Sequence, residues 1–436
     1  MRFKNYILSF VASLSLMEGV AQEGIKSGEL QAVNIKSECK HIIGYYPSWE
    51  QYKRNGVFAT DNVKYKLYTV INYAFFAPDS LGNLAGTDAW GDSILLRGRF
   101  DFSAVEQPAY IPNTSLIDLA HSWGVKVMVS IGGWTLSENF PKIAADPKKR
   151  ANFAHECVKV LRVYKFDGID IDWEFPGYEE HKGGPEDKKN FTLLMKEIRD
   201  SIDNYGEKIK KYFYLSAAFG ANESNMVHIE WDEISNTLDM INMMTYDFNG
   251  IWSDDANHNS PLYNPAEGYV GSLDHTYNVL TTQYKVPPHK INLGAAFYGR
   301  SLMGKKNGEK LTLHSKNETK YSDTITFVPD EGGVLYYNIL LNKHKFEEKW
   351  DSVAQVPYLV GKNINTFVSF DNEKSIRLKA EYIKSKKLAG VIIWEMSGDF
   401  IEKKPGTGFV KGFPLAEILY EVLDPCPLRP IRRRFK

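Results

Sequence analysis

The stretch FDGIDIDWEFPG, residues 166–177, sets Asp167, Asp170, Asp172 and Glu174 among Ile, Trp and Phe. Residues two apart on a strand share a face. Asp170, Asp172 and Glu174 therefore line one side, and Ile169, Ile171 and Trp173 line the other. In a closed barrel the apolar side meets surrounding helices, and the acids point inward with Glu174 uppermost at the mouth. Carboxylates about 7 Å apart repel by roughly 2.4 kcal/mol at an effective dielectric near 20, on the order of 1.7 pKa units. One proton is then retained in the row near neutrality, and Glu174 is placed to donate it. Residues in line on one strand cannot surround an ion octahedrally, and no His accompanies them, so no metal is expected.

Seven other runs of β-branched and aromatic residues flank this one: HIIGYYPSW (41–49), YTVINYAFFA (68–77), KVMVSIGGW (126–134), FYLSAAFGA (213–221), MINMMTYDF (240–248), KINLGAAFYGR (290–300) and GVIIWEMSGD (390–399). Amphipathic stretches such as DPKKRANFAHECVKVLRVYK and EDKKNFTLLMKEIRDSIDNY lie between most of them. DNEKSIRLKAEYIKSKK, ahead of the last run, opens with an Asp or Asn cap. Near-continuous apolar strands alternating with helices predict an α/β fold, a (β/α)8 TIM barrel over residues 40–425. Each run ends in polar or aromatic residues, as a barrel with its chemistry at the strand C-termini requires. The spacing breaks at 301–366, where mixed strand and helix signals predict a small α+β insertion on the rim. Residues 78–112, which include Trp90, form a shorter elaboration. Beyond residue 405 only a tail is expected, ending in basic residues 426–436.

The charge balance, 53 basic against 54 acidic residues, points to neither nucleic acid nor an anionic membrane as partner. A monomer is expected. MRFKNYILSFVASLSLMEGVAQ has the layout of a secretory signal peptide over residues 1–21, too short in its apolar run to span a bilayer. The product should be secreted, to the periplasm or the exterior. Cys39, Cys157 and Cys426 are an odd set without a CxxC pair, which disfavours zinc and leaves a clasp between Cys39 and Cys426 open. Asn113, Asn190, Asn222 and Asn317 begin N-x-S/T sequons.

DGIDIDWE resembles the active-site signature of glycoside hydrolase family 18, the chitinase family. SIGGW (130–134), MMTYDF and IIWEMSGD are similar to its signatures on the third, sixth and last strands, and AAFYGR followed by an insertion resembles the subfamily with an extra α+β domain. The resemblance runs over about residues 40–422. It implies a chitinase acting on β-1,4-linked N-acetylglucosamine in chitin or chitooligosaccharides, without a cofactor. Glu174 would be the general acid/base and Asp172 the partner of the substrate acetamido group. Asp170 would take up proton or charge behind it, and Tyr246 would bond the acetamido oxygen with Asp247 beside it. Trp394 would be the floor under the central sugar.

The spacing adds a chemical constraint. A retaining glycosidase ordinarily needs a second carboxylate across the sugar, about 5–5.5 Å from the acid. Asp172 shares Glu174's strand and cannot flank the bond from the far side, so the sugar's own acetamido oxygen must serve. The resembled family is a known exception of that kind. Tyr45, Phe75 and Met244 line either the central subsite or the core. Gly132 and Gly133 admit close backbone packing. Trp49, Trp90, Trp134, Trp252 and Tyr298 are either outer stacking surfaces or core, and Arg300 clamps a hydroxyl or pairs with an acid. Two rivals stand beside the chitinase: an endo-β-N-acetylglucosaminidase cutting N-glycan cores, and a non-catalytic chitin-binding lectin, which intact Glu174 argues against.

Overall fold

Eight strands close into a parallel ring: His41–Pro47, Val70–Pro78, Lys126–Gly132, Gly168–Asp172, Tyr214–Gly220, Met240–Met244, Ile291–Ala296 and Gly390–Trp394. Each pairs with its neighbour in sequence, and the ring closes where Ile43 faces both Val70 and Ile392. The computed structural model describes residues 39–101, 103, 109–265, 269–328 and 333–426; the expected signal peptide and the basic residues 427–436 lie outside them. The (β/α)8 expectation holds. No helix among the described residues is long and apolar enough to cross a membrane.

The helices begin where their caps lie. Asp146 accepts the N–H groups of Lys148 and Lys149 ahead of Pro147–Tyr164, and Asn372 with Ser375 forms a capping box ahead of Glu373–Ser385. Ile169, Ile171 and Trp173 are buried on the helix side of the fourth strand, with the Trp173 ring stacked 5.4 Å from Phe140. Inside the ring a smaller apolar cluster, including Ile43, Val70, Met128 and Ile392, fills the base.

Three elements differ from the sequence reading. Between the first and second strands only 3-10 turns occur, from Ser48 to Leu67. The chain beyond residue 405 is not merely a tail: Pro414–Leu423 is a helix that buries Leu415, Leu419 and Leu423, and it packs on Glu373–Ser385 and the Tyr65–Leu67 turn. The inserted sheet starts earlier than 301 and ends later than 366. Its antiparallel strands are Gly333–Leu335, Tyr298–Met303, Thr366–Ser369, Val356–Gly361 and Phe346–Asp351, in that spatial order. The apolar run 290–300 breaks at Phe297, so Tyr298 and Arg300 stand on this second sheet and not on the barrel.

Cys39 and Cys426 form a disulfide that joins the start of the first strand to the end of the last helix, and Cys157 is a buried thiol. Asn317 is buried, its amide donating to the carbonyls of Ile251 (3.2 Å) and Ser253 (3.0 Å), so this sequon is folded inside the rim.

Candidate active site

The fourth strand carries its acids up the axis of the ring. Asp170 is fully buried and accepts four hydrogen bonds: from Tyr45 (2.9 Å), Ser130 (2.8 Å), Asn242 (3.2 Å) and Ser216. Asn292 on the seventh strand supports Asn242, donating to its Oδ1 at 2.9 Å. Burial raises the Asp170 pKa, and these donors pull it back. Ser130, Ser216, Asn242 and Asn292 were not singled out from the sequence. Their signal lies in the strands: Asn242 and Asn292 are each the lone polar residue of an apolar strand, and Ser130 and Ser216 are small hydroxyls set among apolar neighbours.

Asp172 is also buried, and its Oδ1 has no hydrogen-bond partner. Burial, then the charges of Glu174 and Asp170, hold its carboxyl well above the usual range. Glu174 stands half-buried just past the strand end. Burial, and then the charge of Asp247, push it up to about 8 against the opposing pull of the Trp134 N–H. Glu174 therefore keeps its proton at neutrality, through burial and the charge of Asp247 more than through repulsion along the strand. The backbone is fixed from the turn that follows the third strand: Gly133 N–H donates to Asp172 O at 2.8 Å, and Ser137 Oγ accepts the Glu174 N–H at 2.9 Å.

Tyr246 and Asp247 follow the sixth strand. The Tyr246 ring is buried beside Gly294, where an added Cβ would come within 2.7 Å of it. Asp247 Oδ1 accepts from Tyr298 at 2.6 Å and from both Nε and Nη2 of Arg300 at 2.8 Å. Arg300 thus pairs with an acid, and its guanidinium also lies 5.1 Å from the centre of the exposed Trp252 ring.

An aromatic floor closes the base of the mouth. Trp394 stacks on Phe75 with centroids 5.7 Å apart and planes 17° from parallel, and Trp49 leans on both rings. Gly133 makes that approach possible: its φ is +88° and a Cβ there would fall 2.7 Å from the Phe75 ring. Gly132, at φ +113°, abuts the Asp172 carbonyl in the same way. Met244 is half-buried between the interior cluster and the Tyr246–Tyr298 cluster. Tyr45 is buried under Trp394, offering its hydroxyl to Asp170 and not a face to the mouth. Trp134 is half exposed against Tyr178 and His181. Trp90 stacks on Phe100, 5.1 Å away, in the 78–112 elaboration.

The sequence profile described as glycosyl hydrolases family 18 matches residues 41–399. Chitinase A1 of Niallia circulans is 35% identical over 436 aligned positions, covering 89% of this chain and 60% of that protein. Endochitinase 1 of Metarhizium robertsii is 30% identical over 81% of this chain and 80% of its own length. Among solved structures, chitinase ChiA74 from Bacillus thuringiensis superposes with a TM-score of 0.74 at 31% identity, covering 91% of this chain and 71% of that one. The chain thus spans somewhat less than two thirds of the Niallia protein and most of the other two.

Proposed function

Because the chain belongs to glycosyl hydrolases family 18, a family of glycosidases, we propose that it is a secreted chitinase. It hydrolyses β-1,4 bonds between N-acetylglucosamine units in chitin or chitooligosaccharides with retention of configuration.

The observation that carries this reading is the row Asp170–Asp172–Glu174, with a proton held on Glu174 and Tyr246 buried nearby. Glu174 gives its proton to the glycosidic oxygen as the bond to the anomeric carbon breaks. The acetamido carbonyl oxygen of the same sugar attacks that carbon, forming an oxazolinium-type intermediate. Asp172 takes the acetamido N–H and stabilises the positive charge, its unpartnered Oδ1 being free for that bond. Tyr246 aims the carbonyl, and Asp170 shares the charge from below. Water then adds to the anomeric carbon, and Glu174 takes its proton back.

The other nearby acid is Asp247, whose Oδ1 is occupied by Arg300 and Tyr298, which supports the sugar rather than a protein carboxylate as nucleophile. Trp394 on Phe75 gives a flat apolar floor for the distorted sugar. Expected turnover of a chitobioside carrying a chromogenic leaving group should fall by about a thousand-fold or more in Glu174→Gln, which keeps shape and hydrogen bonding but removes the proton donor. Retained turnover would refute the role of Glu174. An inverted anomeric configuration, read by proton NMR of the first product, would refute the mechanism.

A further inference from the structure

Asp247 lies at φ +60°, the left-handed region that a residue with a side chain occupies when its surroundings hold it there. Two separate grips do so. The carboxylate is bound by Tyr298 and Arg300 of the inserted sheet. The main chain is bound elsewhere: Asp247 N–H donates to Asn259 Oδ1 at 2.9 Å, and Asn259 N–H donates to Ser369 Oγ at 2.8 Å. Ser369 ends the strand Thr366–Ser369, directly opposite Arg300 in the ladder. One facing pair on the inserted sheet thus reaches Asp247 twice, through its side chain and through its backbone. Asn259 and Ser369 are both buried, and the Asn259 carbonyl also accepts the Phe248 N–H at 3.1 Å.

We propose that Asn259 and Ser369 are positioning residues, which transmit the placement of the inserted sheet to Asp247 and fix how closely its carboxylate faces Glu174. This rests on the reading of Glu174 as the proton donor. If Asp247 retreats, its repulsion of the ionised Glu174 weakens, and Glu174 releases its proton at lower pH. Each ångström of retreat is worth about 0.3 pH unit. The other charged and titratable groups facing the pair are Asp172 and Asp170 below, Tyr246 beside, Tyr298 and Arg300 across, and His181 at the Glu174 carbonyl. Behind Asn259 stand the pairs His258–Asp351 and Lys379–Asp371. Deleting the Ser369 hydroxyl removes none of the hydrogen bonds that join those groups.

The experiment is the pH profile of kcat/KM on a chromogenic chitobioside for the parent enzyme, Ser369→Ala, Ser369→Thr and Asn259→Ala, with thermal melts of each and Glu174→Gln in parallel. The expected result is an alkaline limb displaced to lower pH by about 0.3 unit or more in Ser369→Ala. Asn259→Ala should move the same way, and Ser369→Thr, which keeps the hydroxyl, should overlay the parent. A Ser369→Ala profile lowered uniformly, or unchanged, with its alkaline limb in place would overturn the proposal. Turnover by Glu174→Gln would instead remove the reading beneath it, a separate and recognisable failure.

Discussion

The hydroxyl of Tyr45 lies 2.9 Å from Asp170 Oδ2, beneath the indole of Trp394 and out of reach of the open mouth. A tyrosine eligible from sequence as a sugar surface therefore serves the innermost acid. Tyr45→Phe keeps the ring and removes one donor to a buried carboxylate, a bond worth about 1.5–3 kcal/mol. We expect kcat/KM to fall roughly 10- to 100-fold. Because Tyr45 lowers the Asp170 pKa, the acid limb of the profile should move to higher pH. An unchanged limb would show that Asp170 is insensitive to this bond.

The raised acids make stability depend on pH in a definite direction. Glu174 and Glu395 are both pushed up to about 8, Glu395 by burial and then by Glu50, from an ordinary value of 4.5. The fold holds their protons where the unfolded chain releases them. Their contribution is therefore complete below about pH 4.5 and is lost as pH rises through 8. Thermal melts between pH 4.5 and 9 should show a falling midpoint, and Glu174→Gln should flatten part of that slope. Asp167 behaves oppositely: burial is outweighed by the His121 bond and the charges of His121, Lys211 and Lys126, leaving it at about 2. Its contribution fails only as pH drops toward that value.

Gly133→Ala tests the aromatic floor. The new methyl would sit 2.7 Å from the Phe75 ring at a backbone φ of +88°. With ψ at 172° this is backbone space that is essentially glycine's alone, costing about 1–3 kcal/mol for a residue with a Cβ, and Phe75 must also shift under Trp394. A lowered melting temperature with KM raised more than kcat is lowered is the expected outcome. Unaltered KM would separate the Phe75–Trp394 stack from substrate binding.

The Cys39–Cys426 bond spans 387 residues of sequence. Such a long loop places its contribution at about 2–4 kcal/mol or more, through the unfolded chain. The double variant Cys39→Ser, Cys426→Ser should melt earlier with kcat unchanged, because neither residue touches the mouth. Equal melting with and without reductant in the parent would remove this effect.

Much of this architecture is legible in the sequence itself. Period-two alternation in GIDID put Asp170 and Asp172 inside and Ile169 and Ile171 outside because one face of that strand has to meet helices. The supporting donors were harder to read, since Ser130, Ser216 and Asn242 converge on Asp170 only once the ring closes. Tyr298 and Arg300 looked like the end of a barrel strand because nothing local marks Phe297 as the point where the chain leaves one sheet for another. The last helix hid in plain view: Leu415, Leu419 and Leu423 have helical spacing, but they follow the Gly- and Lys-rich loop that suggested a tail. Asn259 lies in a polar loop with no periodicity, so only its contacts reveal it.

The covalent clasp between Cys39 and Cys426 brings two α-carbons to 5.2 Å, a gap a short peptide bridges. Splicing residue 39 onto residue 426 and opening the backbone at an exposed hairpin tip such as 404–407 would yield a circular permutant whose strands keep their ring order. The order in which the polypeptide emerges during synthesis would then become a design variable for this enzyme.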